Sequence, residues 1–581
     1  MKTSGEDPQL KTYTNPVYDY RRAPELDAAT GHCARHYGVV VVGAGPVGLA
    51  AAIDLAQDGI PVLVLDDDDT VSVGSRAICY AKRTLEILDR LGCGEPVATK
   101  GVSWNVGKVF HGDELTYQFD LLPEPGHHRP AFVNLQQYYF EEYLVQRADA
   151  LAAAEIRWKH RVVDVAVNDT EDETENDTDD NAAVTLRIAT QDGDYALTCD
   201  WLIVCDGARS PVRHMLGLDS EGQVFRDRFL IADIHMTTDF PTERWFWFDP
   251  PFHRNQSVLL HRQADNVWRV DFQLGWDADP EQEKKPENIL PRLRAMLGAD
   301  AQFDIEWASV YTFQCRRMQK FRHGRVLFAG DAAHLVSPFG ARGANSGVQD
   351  TDNLVWKLEL VMRGLAPDSL LDTYDEERIA AADENILNST RATDFITPKS
   401  VVSRTFRDAV LALARRHPFA RRLVNSGRLS VPKILADSSL NTPDDEVDSD
   451  AFSGLMVQGA PAADAPVAGP RGDWLLQHLG GGFDLLVFGD GVPDDAARDF
   501  ARDPVPCRVV QVGGVPRDGR VVIQDKEGLI AARYDARQGT CYLVRPDQHV
   551  CARWRNFDPA ALRRAIARAT GNIDRDPRWA H

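Results

Sequence analysis

The chain has 581 residues, 44% hydrophobic and 26% charged, proportions that exclude fibrous, collagen-like and globally disordered classes. At roughly 150 residues per domain the length predicts about three or four domains. The 65 basic residues against 87 acidic give a net charge of −22, which repels phosphate backbones and anionic headgroups and argues against nucleic acid as a partner.

Residues 1–36 are polar and mixed in charge without an apolar signal core, and read as a loose N-terminal tail rather than a targeting segment. The nine cysteines (Cys33, Cys79, Cys93, Cys199, Cys205, Cys315, Cys507, Cys541, Cys551) are scattered and form neither a C-x-x-C pair nor a metal-ligand spacing. That usage predicts a reducing, cytoplasmic setting and no metal site. The longest uncharged run, Tyr37 to Ile53, is short and glycine-interrupted for a membrane helix.

The same run reads Val39-Val40-Val41-Val42-Gly43-Ala44-Gly45-Pro46-Val47-Gly48, a β-branched strand feeding a G-x-G-x-x-G turn and a helix. Gly43 permits the tight turn, Gly45 lets the backbone approach a pyrophosphate, and Gly48 allows close packing of helix on strand. The next apolar strand ends at Asp66, 23 residues after Gly43, where a carboxylate can hydrogen-bond an adenosine ribose. This βαβ unit predicts a dinucleotide site without separating FAD from NAD. Asp67, Asp68 and Asp69 read as a solvated turn.

Further along, Asn168 to Asn181 holds eight carboxylates and no basic residue, the signature of a hairpin tip. The strand Trp201 to Cys205 ends in Asp206-Gly207. Residues 218–320 alternate apolar and polar, as in Val267 to Leu274, and predict an antiparallel sheet. Its rings Trp245, Phe246, Trp247, Phe248 and Phe252 either build a dry pocket for a planar substrate or fill ordinary sheet core. A third strand, Arg325 to Ala329, ends in Gly330-Asp331, at the carboxyl end where α/β sheets bind ligands. The loop after it carries Pro338, Gly340, Arg342, Gly343, Ala344 and Asn345 and leads into a helix whose N-terminus favours the anion of a reduced flavin. Arg342 reads as a solvated loop arginine. Residues 436–468, rich in Asp, Ser, Pro and Ala, suggest a linker.

The order of these three sites resembles the flavoprotein aromatic hydroxylases, the FAD monooxygenases typified by para-hydroxybenzoate and phenol hydroxylases. Ser75-Arg76-Ala77 with Arg83 to Leu88, Gln137 with Glu141 and Leu144, and Tyr374-Asp375-Glu376-Glu377-Arg378 are further marks of the likeness, which covers about residues 36–400. It implies an α/β fold: a Rossmann-like FAD-binding domain in two parts (37–217 and 321–435, with helices), an inserted antiparallel-sheet substrate domain (218–320), and, after the linker, a thioredoxin-like C-terminal domain (469–581). Without a C-x-x-C that last domain suits packing or dimer formation rather than redox work.

The resemblance implies that Gly43, Ala44, Gly45, Pro46, Gly48, Asp66, Arg76, Gln137, Asp206, Gly207, Gly330, Asp331, Gly340, Gly343, Ala344 and Asn345 hold FAD. Asp206-Gly207 also serves NADH or NADPH, and Pro338 sits beside the flavin ring. The implied reaction is hydroxylation of a phenolic substrate by O2 through a C4a-hydroperoxyflavin, and the likeness suggests a homodimer. Where phenol-type relatives place an acid or histidine this chain has Ile78, which cannot titrate. The base is therefore open among Tyr80, His253, His261 and Tyr311, with Arg269 a further catalytic candidate. A monooxygenase of a polyketide or antibiotic, and a flavin reductase or dehydrogenase that does not use O2, remain alternatives.

Overall fold

A computed structural model describes residues 10–27, 35–167, 184–424, 430–444 and 452–573. The acidic stretch from Asn168 to Asn181 lies outside the described residues.

The first sheet is built on parallel strands because its segments are apolar on both faces: Val39, Val40 and Val41 are fully buried, as are Leu202, Ile203 and Val204. In spatial order it runs Arg322–His323, Val326–Phe328, Gly193–Val204, Arg35–Val42, Val62–Leu65 and Ala154–Arg157, with the hairpin Arg161–Val167 and Val184–Thr190 attached at one side. Val41 pairs in parallel with Ile203 on one side and Val64 on the other, and Ile203 with Leu327. The helix Pro46–Gln57 is mostly alanine and aliphatic and buries nearly every turn. It is clasped between the helices Gln137–Asp149 and Gly343–Met362.

The second sheet runs His334–Leu335, Asp304–Arg317, Glu221–His235, Val267–Leu274, Ser257–Arg262, Arg244–Phe248, Val106–His111 and Glu114–Asp120. It is larger than the expected 218–320 segment, because the hairpin 106–120 joins it in parallel through Phe246↔Val109. Its outer face packs Leu230, Val258, Leu260, Trp268, Val270 and Phe272 against Ile289 and Leu293 of the helix Pro286–Leu297. Its inner face carries Phe229, Phe246, Phe248, Leu259 and Phe313, clustered with Phe339. Of the five rings expected around a pocket, Phe246 and Phe248 face inward, whereas Trp245, Trp247 and Phe252 belong to the outer core.

Of the expected loose tail, residues 1–9 and 28–34 lie outside the described residues, and residues 10–27 are packed rather than loose. Leu10 and Tyr13 are buried, Tyr13 stacks on Tyr138 at 4.1 Å and Tyr18 on Trp158 at 4.5 Å, because tyrosines supply apolar area that a polar composition conceals. The described parts of the segment 436–468, residues 436–444 and 452–468, are likewise docked rather than a free linker: Leu440, Ala460, Ala462, Ala465 and Val467 are buried, and Pro466–Gly469 is already a strand.

That strand belongs to a third sheet, ordered Gly472–Trp474, Pro466–Gly469, Arg520–Asp525, Cys507–Val512, Phe483–Phe488, Cys541–Val544 and Val550–Trp554. Phe483–Phe488 is parallel to Cys507–Val512 across the helix Asp494–Phe500 and antiparallel to Cys541–Val544. Cys541 and Cys551 are free thiols buried in it. The unit is held to the rest by an apolar cluster in which Trp356, Ala366 and Leu370 pack with Phe483 and Leu485, and by polar contacts: Arg83 donates to Gln548 Oε1 at 3.0 Å and to the carbonyl of Asp547 at 2.7 Å. No helix among the described residues is long and apolar enough to cross a membrane.

Candidate active site

The three motifs meet because their strands are neighbours in the parallel sheet. The backbone N–H of Gly43 donates to Leu65 O at 2.8 Å, that of Cys205 to Val42 O at 2.8 Å, and that of Ala329 to Val204 O at 3.0 Å. Gly43, Asp206 and Gly330 therefore leave the sheet side by side at its carboxyl edge. Gly43 has φ +106°, and a Cβ there would lie 2.5 Å from the carbonyl oxygen of Cys205. Only glycine lets these two strand ends approach so closely. A Cβ on Gly48 would strike the Gly43 carbonyl, whereas one on Gly45 meets nothing within 4 Å. The space beside Gly45 thus lies open at the N-terminus of Pro46–Gln57, whose cap makes no side-chain hydrogen bond.

Asp66 accepts from Ala44 N–H at 2.6 Å and from Asp68 N–H at 2.8 Å, and burial raises its pKa to about 6 in spite of both donors. It therefore braces the glycine turn. Asp206 accepts from Val212 N–H at 3.0 Å through Oδ2, while its buried Oδ1 has no partner, an acceptor available to a ligand donor. Arg213, outside the expected site, ties two motifs together: Nη1 donates to Ala332 O at 2.6 Å and Nη2 to Ala208 O at 3.1 Å. Behind Gly330 the fully buried Asp350 accepts from Gly330 N–H at 3.0 Å, His334 Nε2 at 2.6 Å and Arg378 Nε at 2.7 Å. The hydroxyl of Tyr374 donates to Phe328 O at 2.7 Å. The Tyr374–Arg378 element thus fixes the strand that presents Asp331.

The segment from Ser75 to Ala81 forms the wall between the sheets. Gln137 accepts from Ala77 N–H at 3.0 Å and donates to Glu141 at 2.7 Å, leaving Arg76 exposed at φ +43°. Gln137 is therefore placed to shape the loop, with its amide already engaged. Asn345 is similarly engaged: its Nδ2 donates to Cys79 O at 2.9 Å and Ala341 O at 2.5 Å, and its Oδ1 accepts from Ala81 N–H at 2.8 Å. Gly340 takes φ +103° and Ala341 φ +53° before the helix begins at Gly343. Pro338 is exposed at the mouth of this loop. Arg342 is not solvated as expected: it is 3% exposed and donates to Asn385 Oδ1 at 2.7 Å.

Two expected catalytic side chains are placed otherwise. Tyr80 is fully buried in the core of the first sheet, stacked on Phe140 at 4.2 Å, with its hydroxyl 3.3 Å from Ala77 O. A strand residue alternates faces, and Tyr80 takes the core side while Cys79 takes the other cluster. Arg269 does face inward, but its two amino groups donate to Arg76 O and Ser75 Oγ, each at 2.7 Å. It is a brace for the Ser75–Arg76 loop. Of the remaining base candidates, His253 bonds Gln273 O at 2.7 Å and packs on outer-face Phe272, and Tyr311 is inward and 47% exposed, in register with Phe229.

His261 lies in a polar row across the inner face, opposite Arg269, which itself pairs with Asp233. Burial, then Arg244 and Arg269, hold its imidazole well below the usual range and therefore neutral. Asp271 beside it is raised to about 6 by burial, with Arg269 opposing. Arg244 was not foreseen, although its alternation with Phe246 and Phe248 was a legible sign that it faces the same way.

Residues 36–389 match the family described as FAD binding domain. The chain belongs to the FAD binding domain family. A relative from Mycolicibacterium smegmatis named 3-(3-hydroxy-phenyl)propionate/3-hydroxycinnamic acid hydroxylase is 28% identical, over 88% of this chain and 89% of its own. A para-nitrophenol 4-monooxygenase from Pseudomonas sp. is 32% identical over 59% of this chain and 82% of its own. A 12-dehydrotetracycline 5-monooxygenase/anhydrotetracycline 6-monooxygenase from Streptomyces rimosus is 33% identical over 61% and 69%. Among solved structures, the flavin-dependent monooxygenase PieE in complex with FAD and substrate aligns with a TM-score of 0.75 at 23% identity, over 92% of this chain and 99% of that one. The family's FAD fits the residues present: the open space beside Gly45, the uncapped helix start and the orphaned Asp206 oxygen suit a pyrophosphate and a hydroxyl-bearing chain.

Proposed function

We propose that this member of the FAD binding domain family is an NAD(P)H-dependent monooxygenase that uses O2 to hydroxylate a phenolic ring. The observation that carries the reading is the contact of Phe339, in the loop that follows Gly330-Asp331, with Phe229 at 5.0 Å and Phe313 at 5.2 Å on the inward sheet face, in a chain whose relatives are named as hydroxylases and monooxygenases. In this reading the backbone from Gly43 to Gly48 takes the FAD pyrophosphate, with Asp66 bracing the turn. Asp206-Gly207 and Gly330-Asp331 take the connecting chain, and the helix start at Gly343 and Ala344 receives the anionic end of the ring. Arg76 and Pro338, both exposed, would lie beside the ring.

Bound FAD supplies the redox and oxygen chemistry when reduced by NAD(P)H. The chain's own work is to hold the aromatic ring against the phenylalanine face, keep water away from the reacting oxygen, and assist loss of the phenolic proton. A larger polycyclic substrate is the second reading, favoured by the tetracycline-type relative at 33% identity. The C-terminal unit is read as thioredoxin-like from its βαβ–ββ order and as a scaffold rather than a redox centre. A cytoplasmic location and a homodimer complete the proposal. The test is NADH and NADPH oxidation with O2 uptake across substituted phenols and polycyclic phenols, with peroxide and product quantified together. Hydroxylated product equal to the NAD(P)H consumed supports the reading; oxidation that no phenol stimulates refutes it in favour of the reductase alternative.

A further inference from the structure

Arg533 ends the short helix Leu529–Arg533 of the C-terminal unit, and its guanidinium reaches out of that unit to another part of the chain. Nη1 donates to the carbonyl of Gly126 at 2.8 Å and to that of Asp464; Nη2 donates to the carbonyl of Pro125 at 2.7 Å and lies 3.4 Å from His127 Nε2. Gly126 takes φ +79°, and a Cβ there would lie 2.4 Å from Leu529 Cδ1, so the loop backbone seats directly on the same helix. One residue beyond His127, the His128 ring stacks on Trp474 at 5.2 Å. Among the described residues, no group but Arg533 hydrogen-bonds the tip 123–127 to a distant part of the chain.

The loop 121–131 joins the hairpin 106–120 of the second sheet to the strand Phe132–Asn134. Asn105 ties its two ends, accepting from Leu121 N–H at 3.0 Å through its carbonyl and from Ala131 N–H at 3.1 Å through Oδ1. Near the second end Arg129 donates to Asp89 at 2.8 Å, so the tip is the part that depends on Arg533. Leu121 and Leu122 pack on the cluster of Ile78, Cys79, Trp104 and Phe132, which Ala341 of the loop before Gly343 also joins. Phe132–Asn134 in turn pairs with Cys79–Ala81, whose backbone Asn345 grips. One face of the loop thus meets the C-terminal unit, and the other meets the wall between the first two sheets. A loop fastened only at its neck opens locally, and a guanidinium fork on adjacent carbonyls of its tip suppresses that opening.

We propose that the C-terminal unit acts on the reaction through Arg533, a positioning residue that holds the tip of the loop 121–131 so that Leu121 and Leu122 seal the aromatic chamber against water. This gives a unit without a redox centre a part in turnover, and it rests on the hydroxylase reading above.

The test uses the full FAD-loaded chain with R533M, R533K and G126A. Hydrogen exchange of peptides spanning 119–132 is expected to be about tenfold faster in R533M, with the gain at the Leu121 and Ala131 amides. G126A, which disturbs the same contact from the loop side, gives the same change. With a phenol that the wild type hydroxylates, both variants are expected to keep their FAD and to oxidise NAD(P)H within about twofold of the wild-type rate, while KM for the phenol rises about tenfold and the share of NAD(P)H recovered as hydrogen peroxide rises severalfold. R533K, which still donates to part of the carbonyl set, recovers part of the coupling. Unchanged exchange in R533M and G126A overturns the proposal, and so does unchanged coupling, even where the melting temperature falls. Faster exchange in both variants of a chain whose NAD(P)H oxidation no phenol stimulates leaves the grip on the loop standing and refutes the hydroxylase reading; hydroxylated product at the wild-type ratio in both variants does the reverse.

Discussion

Arg545 Nη1 lies 2.5 Å from Glu377 Oε1, with both side chains fully buried where the C-terminal sheet meets the rest of the molecule. Lys357 stands on the other side of the same carboxylate at 2.8 Å, also fully buried, and Asp547 completes the cluster beside Arg545 at 2.5 Å. Burial alone would raise the Glu377 carboxyl, but Arg545 and then Lys357 outweigh it and hold it well below the ordinary carboxylate range.

A folded-state pKa below the unfolded one means that the stabilisation is present above the unfolded value, about 4.3 for Glu, and is lost as pH falls through the folded one. Glu377→Gln leaves Arg545 and Lys357 undercompensated and is expected to cost about 3 kcal/mol at pH 7. Urea unfolding at pH 7 and at pH 3 checks this: the gap between wild type and variant should narrow at the lower pH.

The glycine turn separates folding from ligand binding. Gly45 has φ −82° and open space beyond its Cα, so Gly45→Ala is expected to leave the melting temperature of the FAD-free protein within a degree or two while lowering FAD affinity by about tenfold or more. Gly43→Ala, at φ +106° and 2.5 Å from the Cys205 carbonyl, should lower both. Flavin absorbance of the purified variants, followed by thermal melts after flavin removal, distinguishes the two.

Arg269 holds Ser75 Oγ and Arg76 O, each at 2.7 Å, through separate amino groups. Lysine cannot reproduce that fork. Both Arg269→Lys and Arg269→Gln are therefore expected to keep FAD but to lose about tenfold in kcat/KM, about 1.4 kcal/mol of transition-state binding, with more NAD(P)H diverted to peroxide. Equal activity in Arg269→Lys would exclude a role for the fork.

Tyr80 provides a contrast. Its hydroxyl has one long contact, 3.3 Å to Ala77 O, inside the core. Tyr80→Phe should cost no more than about 1.5 kcal/mol of stability and leave the pH profile of turnover unmoved; a shifted basic limb would return Tyr80 to the list of bases.

The parallel sheet and its edge were legible because close backbone approach restricts residue choice. Few residues but glycine fit at Gly43 and Gly48, and a doubly buried strand must read as Val39 to Val42 does. The antiparallel sheet was legible from alternation in Val267 to Leu274, but the hairpin 106–120 was not assigned to it, since pairing between segments more than 100 residues apart leaves no local trace. The tyrosines of the N-terminal stretch and the alanines before Pro466 were read as loose chain because burial depends on the surface they meet.

What the sequence by itself determined is the class of site: glycines, strand ends and acids in an order that fixes a dinucleotide cradle through local backbone geometry. Only the tertiary structure decided which side chains face it. Tyr80 turned into the core and Arg269 became a brace for the Ser75–Arg76 loop, because facing and hydrogen bonding are set by strand register and by neighbours distant in the chain.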